Sequence, residues 1–343
     1  MQFVKSIFWN TDQRRLRTLW RMAGQVIVFG IIALIIEGAV GVLAFSMVLA
    51  REGIPPEQLS DPRVVQEFIM NNPLIMMLSY LGLVPSLTVS IWFAGRFLDR
   101  RPFADFGFHL NRDWWIDFGF GLLLGAVLML IIFIVELAVG WIEITGTFVT
   151  RNPDAAFLTA ILTPLVTFLA VGFYEELFSR GYQLQNLAEG LTWRFISPQA
   201  AIVIATLISS AIFGALHAGN PNATLFSTLN IIFAGFLLAM GFLLTGELAI
   251  PIALHITWNF FQGNVFGFPV SGTDFGSATV IAIEQRGPDL WTGGPFGPEA
   301  GLLGLAAMAL GIVLTVIWVR VRYGSAGLHL SLAEPPRRGE EAA

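Results

Sequence analysis

Hydrophobic residues in this chain fall into eight long runs that short polar segments separate. Each run is long enough to cross a hydrocarbon layer of ~30 Å as a helix of ~20 residues. The runs lack the short alternating pattern of a membrane barrel, and backbone groups in lipid must be satisfied internally, so the pattern predicts helices. We expect an all-α polytopic membrane protein, a bundle of about eight transmembrane helices. The predicted spans are Met22–Ala50, Pro73–Phe97, Ile116–Trp141, Ala156–Tyr174, Gln199–His217, Thr224–Thr245, Leu248–Phe266 and Gly301–Val319.

Composition supports a membrane protein and excludes two kinds of site. Of the 343 residues 55% are hydrophobic and 13% charged, against roughly 25% charged in soluble domains. The net charge of −5 leaves no basic excess for a nucleic-acid backbone, so nucleic-acid binding is excluded. With no cysteine, a thiolate metal site and a cysteine nucleophile are excluded too. Any metal must be held by histidine and carboxylate.

The whole chain, residues 1–343, is predicted to be one integral membrane domain. Residues 267–299 are rich in glycine and proline and indicate an external loop without a helix of its own. Residues 331–343 are predicted to be a disordered cytoplasmic tail.

Cationic residues predict the orientation, because short cytoplasmic loops retain lysine and arginine. With eight spans both termini lie on one side. If that side is the cytoplasm of a multi-pass plasma membrane protein, only Arg51, Arg63, Arg151 and Arg286 fall outside it. The cytoplasmic set is Lys5, Arg14, Arg15, Arg17, Arg21, Arg96, Arg100, Arg101, Arg112, Arg180, Arg194, Arg320, Arg322, Arg337 and Arg338.

The fourth span leads into a pair of carboxylates and an arginine, and ionisable groups in membrane helices are costly enough to suggest function. Glu176 and Arg180 are spaced i,i+4 and can pair, whereas Glu175 points about 100° away and is free to face another helix. One carboxylate is then anchored and one available. The alternative is a solvated ion pair at an ordinary helix end.

Two further spans carry histidines with a partner four residues away. His255 and Asn259 share one face of the seventh span, and Phe213 precedes His217 at the end of the fifth. A neutral imidazole can ligate a metal or pass a proton, and an asparagine amide can donate to an oxyanion. Alternatively, the His255–Asn259 pair joins helices by hydrogen bonds.

Together these residues resemble a known family. Glu175–Arg180 has the form EExxxR, Phe213–His217 the form FxxxH, and His255–Asn259 the form HxxxN. This ordered set on hydrophobic helices resembles the CPBP family, the CAAX proteases and bacteriocin-processing enzymes also called Abi proteins. The resemblance covers roughly residues 159–262, within the catalytic helices of 156–266.

The resemblance implies an intramembrane endopeptidase, similar to the enzymes that remove the last three residues of prenylated CAAX proteins. Glu175 would activate water, His217 and His255 would position it or ligate a metal, and Asn259 would stabilise the oxyanion. Glu176 and Arg180 would support the first motif helix, and Phe213 would pack beside the site.

The cofactor is left open by the resemblance. Glu175, His217 and His255 would suit a divalent metal, zinc above all, with an open position for water. The same residues equally suit a metal-free glutamate mechanism. The expected partners are membrane lipids and a membrane-associated protein or peptide substrate.

Depth in the membrane poses a difficulty for a joint site. In ideal spans His217 ends its helix near the external side, whereas His255 begins its helix near the cytoplasmic side. We therefore expect the helix after Pro251 to start in a recessed position, and a water-filled cavity that opens toward the cytoplasm.

Two alternatives to a protease are a non-catalytic membrane scaffold or bacteriocin-immunity protein, and a small-solute transporter. The transporter would use the carboxylates of Glu37 in the first span and Glu136 in the third.

Overall fold

The protein is a bundle of long helices with two short β-ribbons, and the computed structural model describes residues 7–51 and 72–336. The helices are α1 Thr18–Arg51, α2 Pro73–Phe93, α3 Arg112–Ala138, α4 Phe157–Glu176, α5 Gln185–Leu191, α6 Pro198–His217, α7 Leu225–Thr245, α8 Ala249–Phe260, α9 Asp289–Thr292 and α10 Leu302–Tyr323. The π-helical segments Ala94–Asp99, Leu177–Leu184 and Phe261–Val265 continue α2, α4 and α8. Short 3-10 turns are Phe103–Phe106, Gly294–Phe296, Pro298–Ala300 and Leu330–Ala333.

Several helix starts follow from local sequence chemistry. Asn72 accepts hydrogen bonds from the backbone N–H groups of the first turn of α2, and Ser197 does the same for α6. A proline follows each of these caps at a position that needs no N–H donor. Thr224 and Ser227 form a reciprocal capping box at the start of α7. Three helices thus begin where side chains satisfy otherwise free backbone donors.

Among the described residues, seven helices are long and apolar enough to cross a membrane. They match seven of the eight predicted spans, and the polytopic helical fold is confirmed. The fourth span is longer than predicted, since its helix continues from Phe157 to Leu191. Residues 248–266 differ: they form the short helix α8 and a π-helical turn.

α8 lies inside the bundle, packed against α3, α4 and α7. Glycines let the helices approach closely, as small residues do in membrane bundles. A Cβ on Gly125 of α3 would lie 2.6 Å from the Leu254 carbonyl, and one on Gly172 of α4 would lie 2.6 Å from the Ile256 side chain. Residues 249–256 are all buried. α8 is therefore a core element that neighbouring helices shield from lipid.

The loop between α8 and α10 is more ordered than predicted. It contains β4, Ala278–Gln285, which pairs antiparallel with β3, Ile142–Thr150. It also contains α9, so the expectation of an external loop without a helix of its own is wrong. The strand pairing makes up for the missing helical hydrogen bonds in both connections. The sequence analysis identified neither strand.

Both terminal segments lie at one end of the bundle. The ribbon of β1, Trp9–Asn10, and β2, Arg15–Leu16, precedes α1. There the side chains of Arg15, Arg21, Asp99, Arg101 and Glu189 form a buried group of charges, which we call the terminal cluster.

The C-terminal segment docks on this end, where Arg101 donates to the Glu334 carbonyl at 3.0 Å. Leu332 and Ala333 are buried, so a disordered tail from Ser331 onward is wrong for the docked residues up to Glu334. Residues 337–343 lie outside the described residues. Because both terminal segments meet there, the chain crosses the bundle an even number of times, with α8 as a short passage.

Candidate active site

One cavity of about 860 Å³ collects the central residues of all three motifs. Glu175, Phe213, His217, His255 and Asn259 line it. Glu176 and Arg180 do not line the cavity and lie behind it, buried in the bundle. The structure thus brings together every residue that the sequence analysis placed at the site.

Glu176 and Arg180 form the predicted pair, and the pair also holds a histidine. Arg180 donates from Nη1 to Glu176 Oε1 at 2.9 Å, and His255 Nδ1 lies 2.8 Å from the same oxygen. Both members of the pair are at most 1% exposed. The solvated ion pair considered from the sequence is therefore wrong. Since a carboxylate only accepts, we assign the proton to Nδ1, which leaves Nε2 of His255 as an acceptor.

Arg180 is fixed on two further sides. Its Nη2 donates to the Gly235 carbonyl at 3.2 Å, and its guanidinium carbon lies 4.4 Å from the centre of the Phe213 ring. A buried arginine is stable only with such partners. Arg180 is therefore an internal residue, and it does not count among the surface cations that indicate orientation.

Glu175 contrasts with its neighbour. Its side chain keeps 21% of its surface exposed, and its Oε2 lies 4.0 Å from His255 Nε2. Within residues 7–51 and 72–336 no hydrogen-bond partner reaches this oxygen. A separation of 4.0 Å is too long for a hydrogen bond but keeps the two groups in one electrostatic environment. Glu175 is thus available to a ligand in the cavity.

His217 is held by its own helix. Its Nδ1 lies 2.8 Å from the Phe213 carbonyl, one turn earlier. Because a carbonyl only accepts, Nδ1 donates and Nε2 is left as an acceptor. The Phe213 ring lies 4.7 Å from the His217 ring and 6.3 Å from the His255 ring, centre to centre. The Phe213 ring therefore lies close to both imidazoles.

The expected difficulty of depth is resolved by the position of α8 inside the bundle. The Leu248 backbone N–H donates to the Gly107 carbonyl, which precedes α3 in the chain. Only five residues later Ala253 packs beside the first half of α3, since a Cβ on Gly121 would lie 2.8 Å from its side chain. His255, two residues further on, lies well inside the bundle. The helix begins at Ala249, before Pro251, and residues 249–256 are all buried, so the start of α8 lies inside the bundle and not in a water-filled recess after Pro251.

The cavity lining extends toward the end of the bundle opposite the terminal cluster. It includes residues 219–221, the turn after His217, and Ser271 and Thr273 in the loop after α8. Under the predicted orientation this is the external end. The lining also includes Val26 and Phe29 in the first half of α1, and the cytoplasmic opening stays a prediction. The rest of the wall is mainly apolar and comes from α1, α2, α4, α6 and α7.

The geometry does not support a three-ligand metal site. In the part of the chain that the structure describes, no three His, Asp or Glu side chains are grouped so as to hold a metal ion. Glu175, His217 and His255 line one cavity but are not close enough together to bind one metal ion as three ligands. Nδ1 of each histidine is held by a hydrogen bond, as is usual for histidines that bind a metal. Zinc therefore stays a prediction.

The sequence analysis missed polar residues that share the cavity. Glu299 lies in the loop before α10, is 3% exposed, and lines the cavity beside Ser271 and Asn220. Burial raises the pKa of Glu299 above its usual value. Gln262 does not line the cavity but bonds Glu299; it follows Asn259 by one helical turn, and that i,i+3 spacing was the available signal. Glu299 lies among glycines and prolines, where no periodicity identifies it.

The other ionisable residues considered lie elsewhere. Glu37 and Glu136 do not line the cavity. Glu136 is fully buried in α3. His109 is half exposed, pairs with Glu247 and Asp105, and lies outside the site, as does the exposed His329.

Comparisons with known proteins agree with the position of the motifs. Residues 157–261 match the model of the family described as type II CAAX prenyl endopeptidase Rce1-like. An uncharacterized protein of Bacillus subtilis (strain 168), YyaK, is 25% identical over 235 residues, which are 66% of this chain and 73% of that protein. No solved structure matches the chain. The matched segment contains all three motifs, and the resemblance to the CAAX proteases is thereby confirmed: residues 157–261 carry an Rce1-like peptidase signature.

Proposed function

We propose that this protein is an intramembrane endopeptidase that hydrolyses peptide bonds of membrane-associated or lipidated proteins. The observation that carries the proposal is the division between the two adjacent glutamates. Glu176 is fully buried behind the cavity, and its Oε1 bonds Arg180 and His255, whereas Glu175 lines the cavity and keeps 21% of its side chain exposed. A general base needs such an available carboxylate within reach of the reacting groups.

In the proposed reaction Glu175 takes a proton from a water molecule as that water attacks the substrate carbonyl. His255 presents Nε2 on the same side, 4.0 Å from Glu175, and Glu176 fixes the ring that carries it. The tetrahedral intermediate places negative charge on the former carbonyl oxygen. The amide of Asn259, one turn after His255, is a donor for that oxyanion.

His217 contributes from a second helix. With Nδ1 donating to the Phe213 carbonyl, its Nε2 can accept a hydrogen bond from the attacking water. Glu175 then gives the proton that it took from water to the leaving amine as the C–N bond breaks. The mainly apolar wall of the cavity suits a lipidated or hydrophobic peptide. Zinc and a metal-free glutamate mechanism both remain compatible with the protease class that the family implies.

The proposed setting is the plasma membrane, with both termini in the cytoplasm. The meeting of both terminal segments at one end of the bundle supports termini on one side. The excess of arginine in the segments of that end favours the cytoplasmic side. The proposed partners are membrane lipids and a membrane-associated protein or peptide, without nucleic acid.

The test is a comparison of membrane-protein termini in cells that carry the wild-type chain, Glu175→Gln or Glu247→Gln at matched expression. Glu247 is a matched control because its side chain is also 21% exposed, but it pairs with His109 outside the cavity. We expect specific cleaved termini in wild type and the control, and their loss in Glu175→Gln. Termini that persist in Glu175→Gln would contradict the proposal. If deletion of the gene gives a phenotype and expression of Glu175→Gln restores the wild-type phenotype, the result would favour a non-catalytic scaffold.

A further inference from the structure

Glu299 lies far along the chain from the three motifs but shares their cavity. It belongs to the 3-10 turn Pro298–Ala300 just before α10, and its side chain is almost fully buried. Such a carboxylate must have partners, because burying an unpaired one is costly. The identity of its partners shows what it connects.

The two oxygens of Glu299 bond to two different segments. Oε1 accepts from both the backbone N–H of Ser271, at 2.6 Å, and the Ser271 hydroxyl, at 2.9 Å. Oε2 accepts from Nε2 of Gln262. Gly297 closes one side, since a Cβ there would lie 2.9 Å from Oε2. The carboxylate is therefore enclosed and bonded at both ends.

The first of these segments continues to the helix of His217. The Ser271 carbonyl accepts from Asn220 Nδ2 at 3.0 Å, and Asn220 lies in the turn that follows His217. The neighbouring Asn222 donates to the Gly272 carbonyl at 3.4 Å. Ser271 has a φ of 47°, a left-handed conformation that its bonded surroundings must maintain. Glu299 thus fixes the loop that holds the end of α6.

The second segment continues to the helix of His255. Gln262 lies in the π-helical turn that directly follows α8, one turn beyond Asn259. It also donates to the Pro269 carbonyl at 2.6 Å. One carboxylate therefore ties the end of α8 to the loop that holds the end of α6.

We propose that Glu299 is a positioning residue that fixes the His217 and His255 imidazoles relative to each other by joining the ends of their two helices. This inference rests on the proposed function as far as catalysis is concerned. Glu299 couples the positions of His217 and His255 through hydrogen bonds that lead to the ends of their two helices. Because misplacing a catalytic group by about 1 Å can cost ~100-fold in rate, loosening this tie lowers turnover more than substrate binding.

The test uses Glu299→Gln, which replaces one acceptor oxygen with a donor that must face Ser271 or Gln262. Glu284→Gln is the matched control, because Glu284 is an exposed carboxylate on β4 of the same connection, paired with Arg286. The full-length proteins are labelled with ¹⁵N-histidine and purified in detergent. The four histidines of the chain give a small set of ring signals, with His109 and His329 as internal references outside the cavity.

We expect Glu299→Gln to shift the ring signals of His217 and His255 while those of His109 and His329 stay in place. On a peptide spanning a cleavage site found in cells, kcat should fall about 10- to 100-fold with little change in KM. Glu284→Gln should match wild type in both measurements. Unchanged His217 and His255 signals in folded Glu299→Gln would overturn the inference, even if its thermal stability were lower.

A second variant keeps the test decisive if Glu299→Gln does not fold. Ser271→Gly removes one hydroxyl donor to Glu299, and glycine tolerates the positive φ. The same two ring signals should move by a smaller amount, and their constancy would overturn the inference. A failure of the proposed function is seen separately, as persistent cleavage in Glu175→Gln.

Discussion

Two groups of buried charge occupy this bundle, and they differ in what they leave available. In the terminal cluster Glu189 pairs with Arg15, Arg21 and Arg101. At the candidate site Glu176 pairs with Arg180 and His255 behind the cavity, but the adjacent Glu175 lines the cavity and keeps 21% of its side chain exposed. Burial of charge is therefore not what distinguishes the site. Its distinction is a partly exposed carboxylate that lines a cavity, next to a fully buried carboxylate that bonds an arginine and a histidine.

The two groups also differ in their position relative to the chain. The terminal cluster joins the segment before α1, the end of α2 and the end of α5, and Arg101 also holds the C-terminal segment. Burial lowers the pKa of Arg15 to about 10, which still leaves it charged at neutral pH. We infer that this cluster closes one end of the bundle, whereas the site network organises its interior.

The largest effect should come from Glu176→Leu at the site. It leaves the Arg180 charge buried without its carboxylate, which typically costs about 3–5 kcal/mol, and it frees the His255 ring. Thermal unfolding of the purified protein should show the loss of stability, and the remaining folded protein should have little activity. Glu175→Gln should unfold close to wild type. Equal destabilisation by both variants would contradict the division between the two glutamates.

Glu189→Gln in the terminal cluster should destabilise without affecting catalysis. The variant loses charge-assisted hydrogen bonds to three arginines, and each such bond is worth about 1.5–3 kcal/mol. The free energy of unfolding should fall by at least the contribution of one such bond. The activity per folded molecule should stay at the wild-type level. A selective loss of kcat would mean that the terminal cluster acts on the site.

Gly125→Ala tests the close approach of α8 to α3. A Cβ there would lie 2.6 Å from the Leu254 carbonyl and 2.8 Å from the Trp258 backbone nitrogen, so α8 would have to move. Such overpacking costs about 1–3 kcal/mol and displaces His255. Gly119→Ala on the same helix is the control, because a Cβ there meets no described atom within 4 Å. Equal stability and activity of the two variants would contradict the central packing of α8.

The smallest effect concerns pH and a pair outside the cavity. Burial raises the pKa of Glu247 above its ordinary value of 4.5, with His109 acting in the opposite direction. The folded state then holds more protons than the unfolded state just above pH 4.5, so stability falls as pH rises through that window. As pH rises through this range, the thermal unfolding midpoint should fall less steeply in Glu247→Gln than in wild type. Identical slopes would contradict this contribution.

The sequence predicted the helices and the motif residues for physical reasons. Long apolar runs have one solution in a membrane, so most spans could be located. The i,i+4 spacing of Glu176 and Arg180 required only that their helix continue, which it does. Glu175 lines the cavity as an available carboxylate, but it approaches the second ring nitrogen of the same His255 that Glu176 bonds, and so does not face a different helix from Glu176.

The remaining features depend on contacts between distant segments. The strands β3 and β4 are rich in β-branched residues, which was an available strand signal, but no local pattern shows that these two separate connections pair with each other. Glu299 meets Gln262 and Ser271 only because the loop after α8 folds back over the cavity. The π-helical turns that directly follow Glu176 and Phe260 likewise have no sequence signal.

The most direct test of the central claim is peptide cleavage by purified protein in liposomes. Wild type, Glu175→Gln and Glu247→Gln are compared on a peptide that spans a cleavage site found in cells. We predict that wild type and Glu247→Gln cleave at the same rate, and that Glu175→Gln cleaves at least about 100-fold more slowly because it lacks the general base. Cleavage by Glu175→Gln at the wild-type rate would contradict the role of Glu175 and the catalytic mechanism built on it.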